Sequence, residues 1–240
     1  MVTTYRVCAI AGRRYELAHT EALRVPGHYA GTLYAFDGVT VPLRAAAHDL
    51  CWSTAVSILG TSFRSRYSHG RGVLHLGTYR DADAHGVAEA TPHVALWTDG
   101  EVALWTETEL RGRDWLADLL GELRPRRDGT SVVASGADPA AFHTVEEEVL
   151  VTVRDVGAVQ LYPASRWRSS AAVRGLRTRA GELYRGGMAE PHVALRDGRE
   201  RVVEKLFLRS SSAVAKLDLV DTDPDAAARF MAGFARLRAS

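Results

Sequence analysis

The sequence predicts an α+β fold, with two pseudo-symmetric halves of mainly antiparallel sheet, each closed by a C-terminal amphipathic helix. Three observations predict it. The run Pro92-His93-Val94-Ala95-Leu96 recurs as Pro191-His192-Val193-Ala194-Leu195. Each copy meets an Asp-Gly pair (Asp99-Gly100, Asp197-Gly198) and then a second apolar run, Val102 to Trp105 or Val202 to Leu208. Apolar run, Asp-Gly, apolar run is the pattern of a β-hairpin, because the turn that matches strand twist favours residues tolerating positive φ. Finally, Leu116, Leu120 and Leu123 follow the first hairpin, and Phe230, Phe234 and Leu237 follow the second. Both triples have the spacing that puts three side chains on one helical face.

Along the chain, Tyr5 to Ile10 and Tyr15 to Leu17 read as a hairpin across Ala11-Gly12, and Thr32 to Phe36 with Val39 to Val41 as another across Asp37-Gly38. Leu43 to Leu59 reads as a helix, with Pro42 opening it and Gly60 ending it. Pro125 stops the helix of the first half, and Asp223-Pro224 caps and opens that of the second. Val145 to Val153 and Val159 to Tyr162 read as strands. Glu146-Glu147-Glu148 reads as a solvated strand start or a sheet edge protected by charge. Arg166 to Tyr184 stays unassigned, since Gly175 and Gly181 weaken a helix and the charges weaken a strand. The expected division is an N-terminal half 1–125, a Gly/Pro/Ser/Asp-containing linker 126–141 and a C-terminal half 142–240, the halves being related by internal duplication. Strands, closing hairpin and final helix make each half similar to a pleckstrin-homology layout, so tandem domains of that kind are the alternative.

Composition bounds the function. With 46% hydrophobic residues, 25% charged residues and a net charge of +1, the chain is an ordinary globular protein. The near-neutral balance removes the long-range field that would draw the whole molecule to nucleic acid or an anionic membrane. Of its 30 basic residues 28 are arginine, and asparagine is absent. That bias points to a GC-rich genome, so a bacterial and specifically actinobacterial source is expected. It also means that an arginine is not a chosen anion fork on identity alone. Cys8 and Cys51 make neither a disulfide framework nor a zinc ligand set. No apolar run approaches the roughly 18 residues of a membrane span, and no signal peptide is legible, so a soluble, cytoplasmic protein is expected.

Five residues are candidate ligand-binding positions: His75, Asp83, His85, His93 and His192. The first four belong to a His/Asp-rich segment, 69–93. Within it, Asp81-Ala-Asp83-Ala-His85-Gly86 resembles the opening of a calcium loop, but His85 replaces an oxygen ligand and Pro92 replaces the bidentate Glu. Imidazole with carboxylate suits a transition metal better. The spacing matches no ligand set, however, so a polar loop without metal is the expectation. His93 and His192 are paired by the repeat. His48 and Cys51 stand one helical turn apart, as a nucleophile and its base would, although a buried structural Cys51 is the expectation. Arg166, Arg168, Arg177 and Arg179, interleaved with Trp167, are candidate anion contacts. Phosphate-loop, nucleophile-elbow, His-Glu-x-x-His and Cys-x-x-Cys motifs are absent.

These observations lead to a non-catalytic binding protein: an adaptor, chaperone-like factor or assembly subunit using the groove between duplicated halves. Another protein is the expected partner, with a small molecule as the second choice. No cofactor and no membrane partner are expected. The rival is a small cofactor-free or metal-dependent enzyme of specialised metabolism using segment 69–93. A third reading is an anionic-ligand or nucleic-acid binder through Arg166 to Arg185. Catalytic residues are left unassigned.

Overall fold

The computed structural model describes residues 2–79, 93–167, 175–194, 200–219 and 223–240, with their side chains except at 144, 145, 187–194 and 200–203. The chain begins with strands β1 (Thr3–Cys8), β2 (Arg14–His19), β3 (Gly27–Phe36) and β4 (Val39–Ala47). Helix α1 (His48–Ser53) continues as a π-helical turn, Thr54–Ile58. A meander of β5 (Thr61–His69), β6 (Gly72–Tyr79), β7 (His93–Thr98) and β8 (Val102–Thr108) leads to α2 (Arg113–Glu122). A hairpin of β9 (Arg124–Asp128) and β10 (Ser131–Ser135) precedes β11 (Phe142–Val153) and β12 (Gly157–Pro163). After a 3-10 turn, Ala164–Arg166, come β13 (Leu176–Arg177), β14 (Glu182–Ala194), β15 (Glu200–Arg209) and β16 (Ala213–Asp218). Helix α3 (Pro224–Ala232) and β17 (Phe234–Ala239) end the chain. Antiparallel sheet dominates, and three short helices accompany it among the described residues.

The chain divides into two compact units. The first comprises Val7–Arg13 and Gly27–Glu148; the second comprises Met1–Arg6, Arg14–Pro26 and Val149–Ser240. In the first, the strand order is β3-β4-β8-β7-β6-β5. In the second, it is β11-β12-β16-β15-β14-β13. Both orders describe one connection: a hairpin, a crossover, then a four-strand meander whose last strand returns beside the hairpin. A helix follows the meander in each unit, and the strand after that helix forms a short antiparallel pair: β9 with β10 in the first unit, β17 with β2 in the second. The segment 126–141 is occupied by most of the β9–β10 hairpin and a 3-10 turn at Pro139–Ala141.

In the first unit α2 packs on β6 and β7, and β10 packs on β4 and β8. Leu116, Leu119, Leu120 and Leu123 are fully buried there, and each contributes about 1.5–3 kcal/mol by leaving water. On the other face α1 covers Ala46, Val94, Leu96, Ala103 and Trp105. In the second unit α3 packs on β15, burying Ala227 and Met231.

Several sequence expectations change. Residues 43–47 belong to β4, not to a helix. Leu43 and Ala45 are buried and Arg44 only half-buried, the alternation of a strand. Pro42 lies just before the stretch paired with β8, which begins at Leu43, where its missing N–H breaks no rung of that ladder. Helical geometry starts only at His48 and does end at Gly60, whose φ is 62°. Phe234 and Leu237 are not helical either. Gly233 closes α3, donating its N–H to Arg229 and Phe230, and both residues sit in β17, buried against β2. Between the second hairpin and its helix stands an additional strand, β16. Glu147 is neither solvated nor at a protected edge. It is fully buried and paired with Arg13 at 3.3 Å, while Glu146 on the opposite parity is exposed.

Candidate functional site

Trp52 projects from α1 and stacks on Phe63 of β5 at 5.1 Å and 28°. His75 of β6 meets Trp52 edge-on at 5.1 Å and Phe63 at 5.7 Å. Register explains the cluster. His75 pairs across to Leu96 and Phe63 across to Gly77, so Phe63, His75 and Leu96 share the face that α1 covers. A cleft of ≈ 410 Å³ opens beside them. Its walls include Trp52, Phe63 and His75, with Ser62 and Ser65 as hydroxyl donors and Arg64 and Arg66 as charges. Arg64 and Arg66 are exposed, and among the described residues no carboxylate is paired with either. Burial, with Arg66 and His48 nearby, holds His75 below the usual histidine range, so it presents a neutral ring at neutral pH.

A polar group lies on the same face. Arg44 stacks over Trp105 at 4.7 Å and donates to Glu107 at 2.8 Å. The Tyr79 hydroxyl donates to the other oxygen of Glu107. Tyr29 is pushed up to about 12, chiefly by burial, and is therefore a neutral phenol. Together these groups fix the sheet face beside the cleft with its charges already matched.

The candidate residues fall in different places. His75 lies in the cleft. His93 begins β7 opposite Thr78 and Thr108. Its parity is opposite to that of Leu96, so the sheet separates it from His75. Asp83 and His85, like Asp81, lie outside the described residues. His192 falls in β14, and its side chain is likewise not described. No group of three or more His, Cys, Asp or Glu converges as a metal site among the described residues. The described part of the repeat falls in the third strand of the first meander (residues 93–96, β7) but in the second strand of the other (residues 191–194, β14), which are not equivalent positions. Arg166 stacks over Tyr162 at 5.6 Å. Arg177 and Arg179 are exposed on β13 and the turn after it, and Arg168 lies outside the described residues.

The His48–Cys51 pair turns out to be structural, and so does a Ser131–His28 contact that the fold brings together. Cys51 is buried, donates weakly to Ala103 O at 3.9 Å, and is pushed up to about 11 by burial, so it is a thiol and not a thiolate. Thr98 Oγ1 donates to Val102 O at 2.9 Å. His48 Nδ1 therefore donates to Thr98 Oγ1, 2.9 Å away. Ser131 Oγ accepts the Cys8 N–H at 3.0 Å and lies 3.1 Å from His28 Nε2. With Ser131 only 2% exposed, this Ser–His contact clamps β10 and has no access for a substrate.

Sequence reasoning missed Trp52, Phe63, Arg64 and Arg66. The available signal was Phe63-Arg64-Ser65-Arg66, a short alternation of strand type just after the helix ended by Gly60. No described helix is long and apolar enough to cross a membrane. No family model, curated protein or solved structure matches the chain at a significant level.

Proposed function

We propose that this chain is a binding protein built from a duplicated unit, and that it binds through the cleft on α1, β5 and β6. Duplication is supported by the shared strand order and by the hairpin–crossover–meander–helix succession in each unit. The matched strands are β3 with β11, β4 with β12, and the meander β5 to β8 with β13 to β16. Both cysteines are buried and neither is in a disulfide, which fits a reducing cytoplasm.

The observation that carries the binding reading is the composition of the cleft walls. Stacked Trp52 and Phe63 offer flat apolar surface, while Arg64 and Arg66 stand beside them without a carboxylate among the described residues. A ligand with a flat apolar group next to an anionic one satisfies both. His75, neutral and half-buried, supplies an edge and not a charge.

Anilinonaphthalene sulfonate has this chemistry, and phenylnaphthylamine is its uncharged relative. The sulfonate dye binds at one site, and Arg64→Gln with Arg66→Gln weakens it about tenfold, the scale of one charge-assisted contact. The uncharged dye binds both forms equally. Equal binding of the sulfonate dye to both forms contradicts the assignment.

A further inference from the structure

The cleft is lined by Thr61, Ser62, Phe63, Arg64, Ser65 and Arg66, six consecutive residues of one strand. Successive side chains of a strand point to opposite faces. Across the bulge between Phe63 and Ser65, the register puts Thr61, Phe63 and Arg66 on the face of His75, and Ser62 and Ser65 on the opposite face. Contact with all six means that the cleft runs along the backbone edge of β5. That strand ends the sheet of the first unit, with β6 its only pairing partner among the described residues. Every second residue of an antiparallel edge strand turns its N–H and C=O away from its neighbour.

We infer that this edge takes an extended acidic segment of a partner protein as an added strand, with an apolar side chain of that segment seated against Trp52 and Phe63. The inference rests on the cleft being the binding surface and names the kind of ligand it takes. Main-chain hydrogen bonds along β5 supply affinity, and the aromatic pocket with its charges supplies selection. Charge chooses the occupant. Arg64 and Arg66 line the cleft and are exposed, and Arg113 reaches the same strand, its guanidinium donating to Ser65 Oγ at 3.3 Å. A second copy of β5 pairing edge to edge would bring arginines against arginines, whereas a segment carrying Asp or Glu meets complementary charge. The bulge between Phe63 and Ser65 narrows the choice further, since bulges and charges together discourage indiscriminate strand pairing.

The test uses the full chain and synthetic peptides of alternating Asp and Val with one central Leu, Phe, Tyr or Trp, followed by fluorescence anisotropy. At least one peptide binds. N-methylation along one backbone edge of that peptide weakens it about tenfold or more, while N-methylation along the other edge has little effect, because only one edge pairs. Arg64→Glu with Arg66→Glu reverses the preference toward the peptide in which Lys replaces Asp. If no peptide binds while the sulfonate dye still does, this inference falls and the cleft reading stands. If the dye fails as well, both fall. Peptide binding that ignores methylation on either edge overturns the added strand. Concentration-dependent dimerisation abolished by the glutamate variants would give the edge to a second copy and also overturn it.

Discussion

In the first unit the chain leaves β4 through α1 and a π-helical turn and returns as β5, a strand of 9 residues. Among the described residues, the second unit leaves β12 through a 3-10 turn and has in the corresponding place β13, a strand of 2 residues. Each crossover carries one tryptophan. Trp52 lies against His75 and Phe63, and Trp167 lies against Tyr184 and Phe207. By register His75 and Tyr184 are matched positions, since each stands on the second meander strand opposite a buried apolar residue of the third, Leu96 or Phe207. What lies next to them differs. Beside Tyr184 is Gly175, whose missing Cβ would meet that ring at 2.9 Å, so the tyrosine fills the space there. Beside His75 is the wall of an open cleft. One connection thus serves as packing in the second unit and, on our reading, as a binding surface in the first. Among the described residues the difference lies in the crossover element, the length of one strand and the size of a few side chains.

The largest effects test the shared frame. Leu123 follows α2 and Phe234 follows α3, and both are buried where the chain passes from the helix into the next strand. Phe234→Ala costs about 3–5 kcal/mol and Leu123→Ala about 2–5 kcal/mol by loss of buried surface and cavity formation, measured by chemical denaturation. A cost near zero for either would break the equivalence. The next pair sharpens the contrast. Gly77 and Gly186 each stand three residues after a buried leucine of the second meander strand, Leu74 or Leu183. A Cβ on Gly77 would run into the Ser62 carbonyl, whereas one on Gly186 meets only Phe207 at 3.9 Å. Gly77→Ala costs about 1–3 kcal/mol through overpacking and shifts β5, whereas Gly186→Ala stays within about 0.5 kcal/mol.

Much of the local structure was legible because its cause is local. Asp37-Gly38 marked the β3–β4 hairpin, and both residues have positive φ, 48° and 74°, as a two-residue turn of that twist requires. Asp223 caps α3 by accepting the Asp225 N–H at 3.0 Å, with Pro224 behind it. The misreadings have a common origin in tertiary override. Pro42 followed by Leu-Arg-Ala-Ala-Ala has a helix's opening and a helix's propensity, yet β3 and β8 claim both edges of that stretch. Phe230, Phe234 and Leu237 keep helical spacing across Gly233, which ends the helix between them. The pentapeptide was a real signal for hairpins and a misleading one for register, because the shared connection is non-local and leaves no word in the sequence. The cleft was illegible for the same reason. Trp52, Phe63 and His75 are far enough apart in sequence that only the meander's return and the short α1 bring them together.

Smaller effects follow from the titrating groups. His75 and His28 both lie below the usual histidine range, in each case chiefly through burial. A lowered folded value means that the unfolded chain binds more protons as pH falls below about 6.5. The full contribution is therefore present above that pH and is lost on acidification toward the folded value. The midpoint of thermal unfolding falls over this window, and His75→Gln or His28→Gln flattens it; an unchanged profile in both would contradict their half-buried, neutral state. The smallest effect is at Arg44 and Glu107, a half-exposed pair. Glu107→Gln costs only about 0.5–1 kcal/mol, read by the same denaturation, and a cost of several kcal/mol would mean that the pair is buried more deeply than its geometry shows.

The central claim is that the matched tryptophans have diverged, Trp52 toward a ligand and Trp167 toward packing. Titration of anilinonaphthalene sulfonate into the wild type, Trp52→Ala and Trp167→Ala tests it most directly, with circular dichroism establishing that each variant is folded. The account predicts that Trp52→Ala weakens the dye at least about tenfold, the scale of a lost aromatic contact in a pocket, while Trp167→Ala leaves its affinity unchanged and lowers stability instead. Undiminished binding to Trp52→Ala, or a loss seen only with Trp167→Ala, would contradict it.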